Sequence, residues 1–145
     1  MSQAATLYSP EVLGLATSLA AVPLTEDLPL RGSARAPVCG SVIELGAETD
    51  AKGALVRIGM RVHACAIGQA SAALFAAAAK HQDRAAIVQT LGQIETWLSD
   101  PAAPLPEWPG LAAIAPAREY PARHGAIMLP WKAALAALPS VPQAR

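Results

Sequence analysis

Cysteine is scarce in this chain of 145 residues, which holds only two, Cys39 and Cys65. Two cysteines in separate elements do not make the dense disulfide framework of a small secreted domain. Free thiols or metal ligands are the reading instead. Charge is scarce as well: charged residues are 15% of the chain, and 11 Lys plus Arg balance 11 Asp plus Glu. No basic excess points to nucleic acid or an acidic membrane as partner. Low net charge is also a weak defence against self-association, which leaves a homo-oligomer open. The longest unbroken apolar run, Ala72–Ala79, falls far short of the roughly 18 residues a membrane span needs. The basic flank and apolar run of a signal peptide are missing too, so a cytoplasmic protein is expected. There is no Walker motif, dinucleotide-type glycine pattern or nucleophile elbow, and the chemistries those motifs serve are set aside.

What the chain does have is apolar material, 53% of its residues. That is enough to bury a core, and residues 1–145 are expected to form a single domain. Ser9–Ala20 predicts a first helix, with Ser9 as cap, Pro10 and Glu11 in the first turn, and a stripe of Val12, Leu13, Leu15, Ala16 and Leu19. Val22–Ala36 carries Pro23, Pro29 and Gly32 and reads as a loop or irregular edge strand. Val38–Thr49 predicts a strand, Asp50–Gly53 a hairpin turn, and Ala54–Ala64 a second strand. In that second strand Val56, Ile58, Met60 and Val62 oppose Leu55, Arg57, Gly59, Arg61 and His63. From Cys65 to His81 the composition turns alanine-rich and helical. Asp83–Leu98 repeats Ile87, Leu91, Ile94 and Leu98 at helical spacing. The proline-rich Ser99–Gly110 reads as the most mobile part; Trp97, Trp108 and Trp131 read as core or loop anchors, Pro-flanked Trp108 being the one to watch for a partner contact. Tyr120–Leu138 ends the chain with a helical pattern that Pro130 interrupts or starts. Strands early and helices late predict an α+β fold: a small antiparallel sheet with helices packed on one face.

Two segments carry more than packing. "ARAPVCGSVIEL" is followed by "VHACAIGQASAALF", and together they resemble the NifU/IscU/SufU-type iron–sulfur cluster assembly scaffold family. That family has an Ala-Pro-x-Cys-Gly-Asp run entering a strand, matched by Ala36, Pro37, Cys39 and Gly40. Its second cysteine precedes a small-residue helix, matched by Cys65 with Ala66, Ile67, Gln69, Ala70 and Ser71. The terminal "RHGAIMLPWKAALAAL" is similar to its third block, through Leu129, Pro130, Trp131, Lys132 and Ala133. The resemblance spans roughly Tyr8–Leu138 and implies an IscU/NifU-N-terminal-like domain. Two positions depart: the family's aspartate is Ser41 here, and its third cysteine falls on Gly125, preceded by His124.

The resemblance implies an iron–sulfur assembly scaffold, a carrier and not an enzyme. It implies a [2Fe–2S] cluster or zinc bound transiently by Cys39, Cys65 and His124, and a cysteine desulfurase and other assembly proteins as partners. Zinc and clusters are usually held by four Cys or His ligands, so a three-donor site would be open. Water, His63, an exogenous thiol or a second subunit would have to complete it. The altered positions keep alternatives alive: a degenerate member acting as a regulatory or binding partner, or a persulfide acceptor without a cluster. Cys65 is the expected acceptor, because a helix N-terminus favours a thiolate through its dipole and free amides. Read without the resemblance, either cysteine could equally be a small packing residue. His63 then belongs to a solvated face with Arg57 and Arg61, and His81 to a helix end.

Overall fold

The computed structural model describes residues 7–139. Ser9 starts the first helix as expected: its hydroxyl accepts from the Val12 N–H at 3.2 Å, and helix α1 runs Pro10–Ser18. Val12 is buried and Leu15, Ala16 and Leu19 are half-buried, but Leu13 is 50% exposed. The apolar stripe therefore follows the 3.6-residue period and leaves Leu13 out. After a 3-10 turn at Leu19–Ala21 the chain crosses to strand β1, Leu30–Ala36. β1 is an edge strand of a three-stranded antiparallel sheet, β1-β2-β3.

Strand β2 runs Ser41–Thr49, three residues later than Val38. Gly40, at φ 76°, closes a tight turn in which its N–H donates to the Ala36 carbonyl at 2.8 Å. Only glycine adopts that conformation without strain, so Val38 and Cys39 lie in the turn and not in the strand. The predicted hairpin forms: the Asp50 carboxylate accepts from the Lys52 and Ala54 N–H groups, and Gly53 takes φ 88°. Strand β3 is Leu55–His63. A register shift at Glu48/Thr49 turns Leu55 into the core, whereas simple alternation put it with Arg57.

One sheet face carries Ile43, Leu45 and Ala47 into the core. On the other, Gly46 and Gly59 pair across the strands. They form a notch for Leu28, whose atoms would stand within 3.0 Å of a Cβ at either glycine. The same face displays ion pairs from Arg57 to Asp27 and Glu48 and from Arg61 to Glu44. All are half-exposed, the kind of pair that contributes little to stability.

The helical layer is α2 (Ala66–Ala78), α3 (Arg84–Ser99) and α4 (His124–Ala137). Asp83 caps α3 by accepting from the Ala86 N–H at 2.9 Å. Helix α4 lies across β1 and β2, with α2 and α3 packed against it. It begins at His124, after 3-10 segments at Leu111–Glu119 and Pro121–Arg123, and keeps Pro130 within it. The Arg84 guanidinium donates to the Leu135 and Leu138 carbonyls and closes the far end of α4.

In the proline-rich segment the anchor reading of Trp108 holds, and the partner contact does not. Trp108 is not available to a partner: it is 5% exposed and its indole N–H donates to the Leu74 carbonyl at 2.8 Å. It stacks on Phe75 at 5.4 Å between centroids and meets Trp131 edge-on at 5.2 Å. Trp97 is buried too, with the Arg118 guanidinium 5.3 Å above its ring. No helix among the described residues is long and apolar enough to cross a membrane.

Candidate thiol site

The hairpin register decides where the cysteines go. Val42 pairs with His63, so the turn before β2 and the chain leaving β3 lie at the same end of the sheet. The first holds Cys39, the second Cys65, and both are free and half-buried. The Cys39 thiol donates to the buried Ser41 hydroxyl at 3.1 Å. Cys65 is the N-cap of α2, and its carbonyl accepts from the Gln69 N–H at 2.9 Å. Its thiol makes no capping hydrogen bond, so the free amides that the sequence suggested as partners are not engaged by sulfur.

Glycines bring the start of α4 to the same place. A Cβ on Gly68 would stand 3.4 Å from Ala126 Cβ and 3.8 Å from Ser41 Oγ. A Cβ on Gly125 would stand 3.1 Å from Ala36 Cβ. The three segments that carry the sequence resemblance thus meet at one end of the domain.

Sequence reasoning missed a fourth contributor. Arg123, the residue before α4, donates through Nη2 to the Tyr8 hydroxyl at 3.3 Å, while its Nε is buried without a partner. Its charge is among the influences that favour the Cys39 thiolate. The Tyr8 hydroxyl first, then Cys65 and Cys39, raise its pKa further above its ordinary value against the effect of burial. At Cys39 burial is the largest influence and pushes the thiol up. The Ser41 hydroxyl, backbone N–H groups and the Arg123 charge together outweigh it and leave the thiol below its ordinary value. The signal was a cation directly before His124, with no local pattern to mark it.

The histidines stay apart. His124 Nε2 lies 2.7 Å from the Arg118 carbonyl. A carbonyl only accepts, so that nitrogen carries the proton. His63 is exposed at the end of β3. His81 takes φ 75° beyond α2 and donates its N–H to the Leu55 carbonyl. Among the described residues no three His, Cys, Asp or Glu side chains come together to hold a metal ion. The Ser41 hydroxyl is engaged by Cys39, and Gly125 brings no donor. Two thiols do not make up the four-donor set of a zinc or cluster site.

The Cys39 environment yields a direct expectation. Once Cys39 ionises, the Ser41 hydroxyl 3.1 Å away can turn and donate to the sulfur; Ser41→Ala removes that donor, so Cys39 should titrate higher and carry less thiolate near neutral pH. Alkylation of Cys39 by iodoacetamide, followed by peptide mass spectrometry, should slow about threefold once the partly offsetting rise in nucleophilicity is counted. An unchanged rate would mean Ser41 does not tune the thiol.

No family model and no curated protein sequence matches the chain. Solved structures do. A nitrogen-fixing NifU-like protein (N-terminal) from Brucella abortus superposes with a TM-score of 0.82 at 20% identity, covering 94% of both chains. The chain has the NifU/IscU/SufU-type fold. A protein assigned as an iron–sulfur cluster assembly scaffold for the SUF system, from Fervidobacterium islandicum AW-1, shares that fold. Its TM-score is 0.71 at 18% identity, covering 89% of this chain and 94% of the other. The NifU/IscU/SufU-type fold here retains the α+β plan expected of it, one antiparallel sheet with the main helices on one face.

Proposed function

We propose that the protein serves iron–sulfur cluster assembly as a scaffold-type sulfur carrier that works without its own resident metal. The observation that carries this reading is the delivery of two free thiols to one end of the domain by the β2–β3 register. Cys39 is the first acceptor in this reading, in place of Cys65, because its thiol is the one bonded to Ser41 and pulled below its ordinary range. The donor is a protein-bound persulfide of the kind a cysteine desulfurase carries. The Cys39 thiolate attacks the outer sulfur of the donor R–S–SH. A new S–S bond forms as Cys39–S–SH, the donor S–S bond breaks, and its electron pair leaves on R–S⁻. The transferred sulfur keeps its oxidation state, so no oxidant or reductant is needed. Val38, beside Cys39 and 80% exposed, offers the donor an apolar contact. Such a carrier turns over no small substrate, and its free thiols suit a reducing compartment such as the cytoplasm.

The test is anaerobic purification of wild type, Cys39→Ser and Cys65→Ser, with iron, zinc, sulfide and sulfane-sulfur analysis before and after exposure to a persulfide donor. Wild type should take up sulfane sulfur with iron and zinc well below stoichiometric, and Cys39→Ser should lose the uptake. Stoichiometric iron and sulfide lost in both variants would replace this reading with a cluster scaffold. Stoichiometric zinc lost in both would replace it with a zinc site.

A further inference from the structure

β3 is the other edge of the sheet, and natural proteins cover or blunt such an edge because its backbone groups invite another strand. Two segments cover most of it. At one end the Leu55 N–H donates to the Gln82 carbonyl at 2.8 Å, and the Leu55 carbonyl accepts from the His81 N–H. At the other end the Met60 N–H donates to the Val22 carbonyl at 2.9 Å. Ile58 lies between these covers. The β2–β3 register is unbroken from Ala47↔Ile58 to Leu45↔Met60. In an antiparallel ladder residues two apart point their backbone groups the same way. Ile58 therefore turns its N–H and carbonyl away from β2, as Met60 does. Among the described residues neither group has a partner outside the sheet. Ile58 also lines a cavity of about 210 Å³, together with Val22, Leu55 and Ala76. Arg57 and Lys80 add two cations to its lining. Arg57 is engaged by Asp27 and Glu48, whereas exposed Lys80 forms no salt bridge among the described residues.

We propose that this gap in the β3 edge is a docking site for the C-terminal end of an extended peptide from a partner protein. The Ile58 N–H and carbonyl pair with the backbone of its last residues, as in strand addition. The Lys80 ammonium pairs with the terminal carboxylate, and the apolar walls take a terminal aliphatic side chain. Size favours a short occupant, because 210 Å³ falls below the roughly 300–1,000 Å³ of a drug-sized pocket. The covers at Leu55 and Met60 stand about 17 Å apart along the strand. A chain running past would meet one cover or the other, so a chain end fits better than a through-running strand. Charge selects which end: an ammonium terminus would face Lys80 as a like charge. Ile58 is also about 17 Å along β3 from His63, the residue that leads to Cys65. A partner held here leaves the thiol end of the domain free, and the docking owes nothing to the sulfur chemistry.

The probes are N-acetyl-alanyl-valyl-leucine as free acid, the same tripeptide as C-terminal amide, and isovalerate. They are titrated into full-length wild type, Lys80→Gln and Ala76→Leu, with the chemical shift and hydrogen exchange of the Ile58 amide read by NMR. The free acid at millimolar concentration should shift the Ile58 amide and slow its exchange in wild type. Lys80→Gln should weaken the free acid about fivefold, the top of the range for an exposed ion pair, and leave the amide form unchanged. Ala76→Leu fills the cavity and should abolish binding. Lys80 is exposed, so its variant keeps the fold; if Ala76→Leu does not fold, the Lys80 comparison and the Ile58 amide still decide. An Ile58 amide unmoved by millimolar free acid, or equal affinity for acid and amide in wild type, would overturn the proposal. Isovalerate binding as tightly as the tripeptide would replace it with a site for small carboxylates. Protection of Ile58 that rises with protein concentration alone would replace it with a second copy of this chain.

Discussion

Trp108→Ala is expected to destabilise the protein by about 4 kcal/mol, in the range for truncating a buried aromatic side chain. Trp108 is one of three rings in mutual contact, with Phe75 and Trp131, and those two also meet edge-on at 5.3 Å. Truncation removes the stack and leaves the Leu74 carbonyl without its indole donor. It also detaches the proline-rich segment from α2. Trp108→Phe separates these effects: it keeps most of the packing, loses the hydrogen bond, and should cost about 1–2 kcal/mol. Urea unfolding followed by circular dichroism measures both. A loss below about 1 kcal/mol for Trp108→Ala would mean that the ring lies at the surface, where a partner could reach it.

Gly32→Ala should cost about 3 kcal/mol, at the upper end for overpacking, because the obstruction is backbone. Helix α4 packs directly on β1 at this point. A Cβ on Gly32 would overlap the Ala137 nitrogen and stand 2.6 Å from the Ala136 carbonyl carbon and 2.7 Å from the Ala133 oxygen. Neither a helix backbone nor an edge strand can swing aside as a side chain can, so the helix must lift from the sheet. Gly92→Ala in α3 is the matched control. Nothing lies within 4 Å of its Cβ position, and alanine there should stabilise by about 1 kcal/mol through helix propensity. Thermal melts of the two variants should therefore move in opposite directions.

Local chemistry was legible where a residue acts on its own neighbours. Ser9 caps a helix, Asp50 and Gly53 make the hairpin, and Ile87 and Ile94 mark the buried face of α3. What was hidden depends on residues far apart in the chain. Trp108 sits among prolines that give no period, and only Phe75 and Trp131 explain its burial. The shift at Glu48/Thr49 that turns Leu55 inward leaves no mark in the alternation. At the site, the resemblance picked out Cys39, Cys65 and the emptied position at Gly125. It could not reveal that His124 bonds to Arg118 or that Arg123 is tied to Tyr8, because those partners are fixed only when the 3-10 segments fold ahead of α4.

The same contrast explains the site's chemistry. The resemblance implied a ligand set, and the fold supplies the frame for one, yet the third thiol is absent and only two remain. Zinc and cluster sites draw on several thiolate or imidazole donors around a positive centre. Two thiols alone fall short of such a donor set, whereas the proposed sulfur cargo, held by one covalent bond, needs only one of them.

Peptide mass spectrometry of the wild-type protein after anaerobic exposure to a persulfide donor tests the central claim most directly. The account predicts a gain of one sulfur atom on the peptide containing Cys39, reversed by a thiol reductant and absent in Cys39→Ser. A protein that gains no sulfur on Cys39 while holding stoichiometric zinc or iron through Cys39 and Cys65 would contradict it.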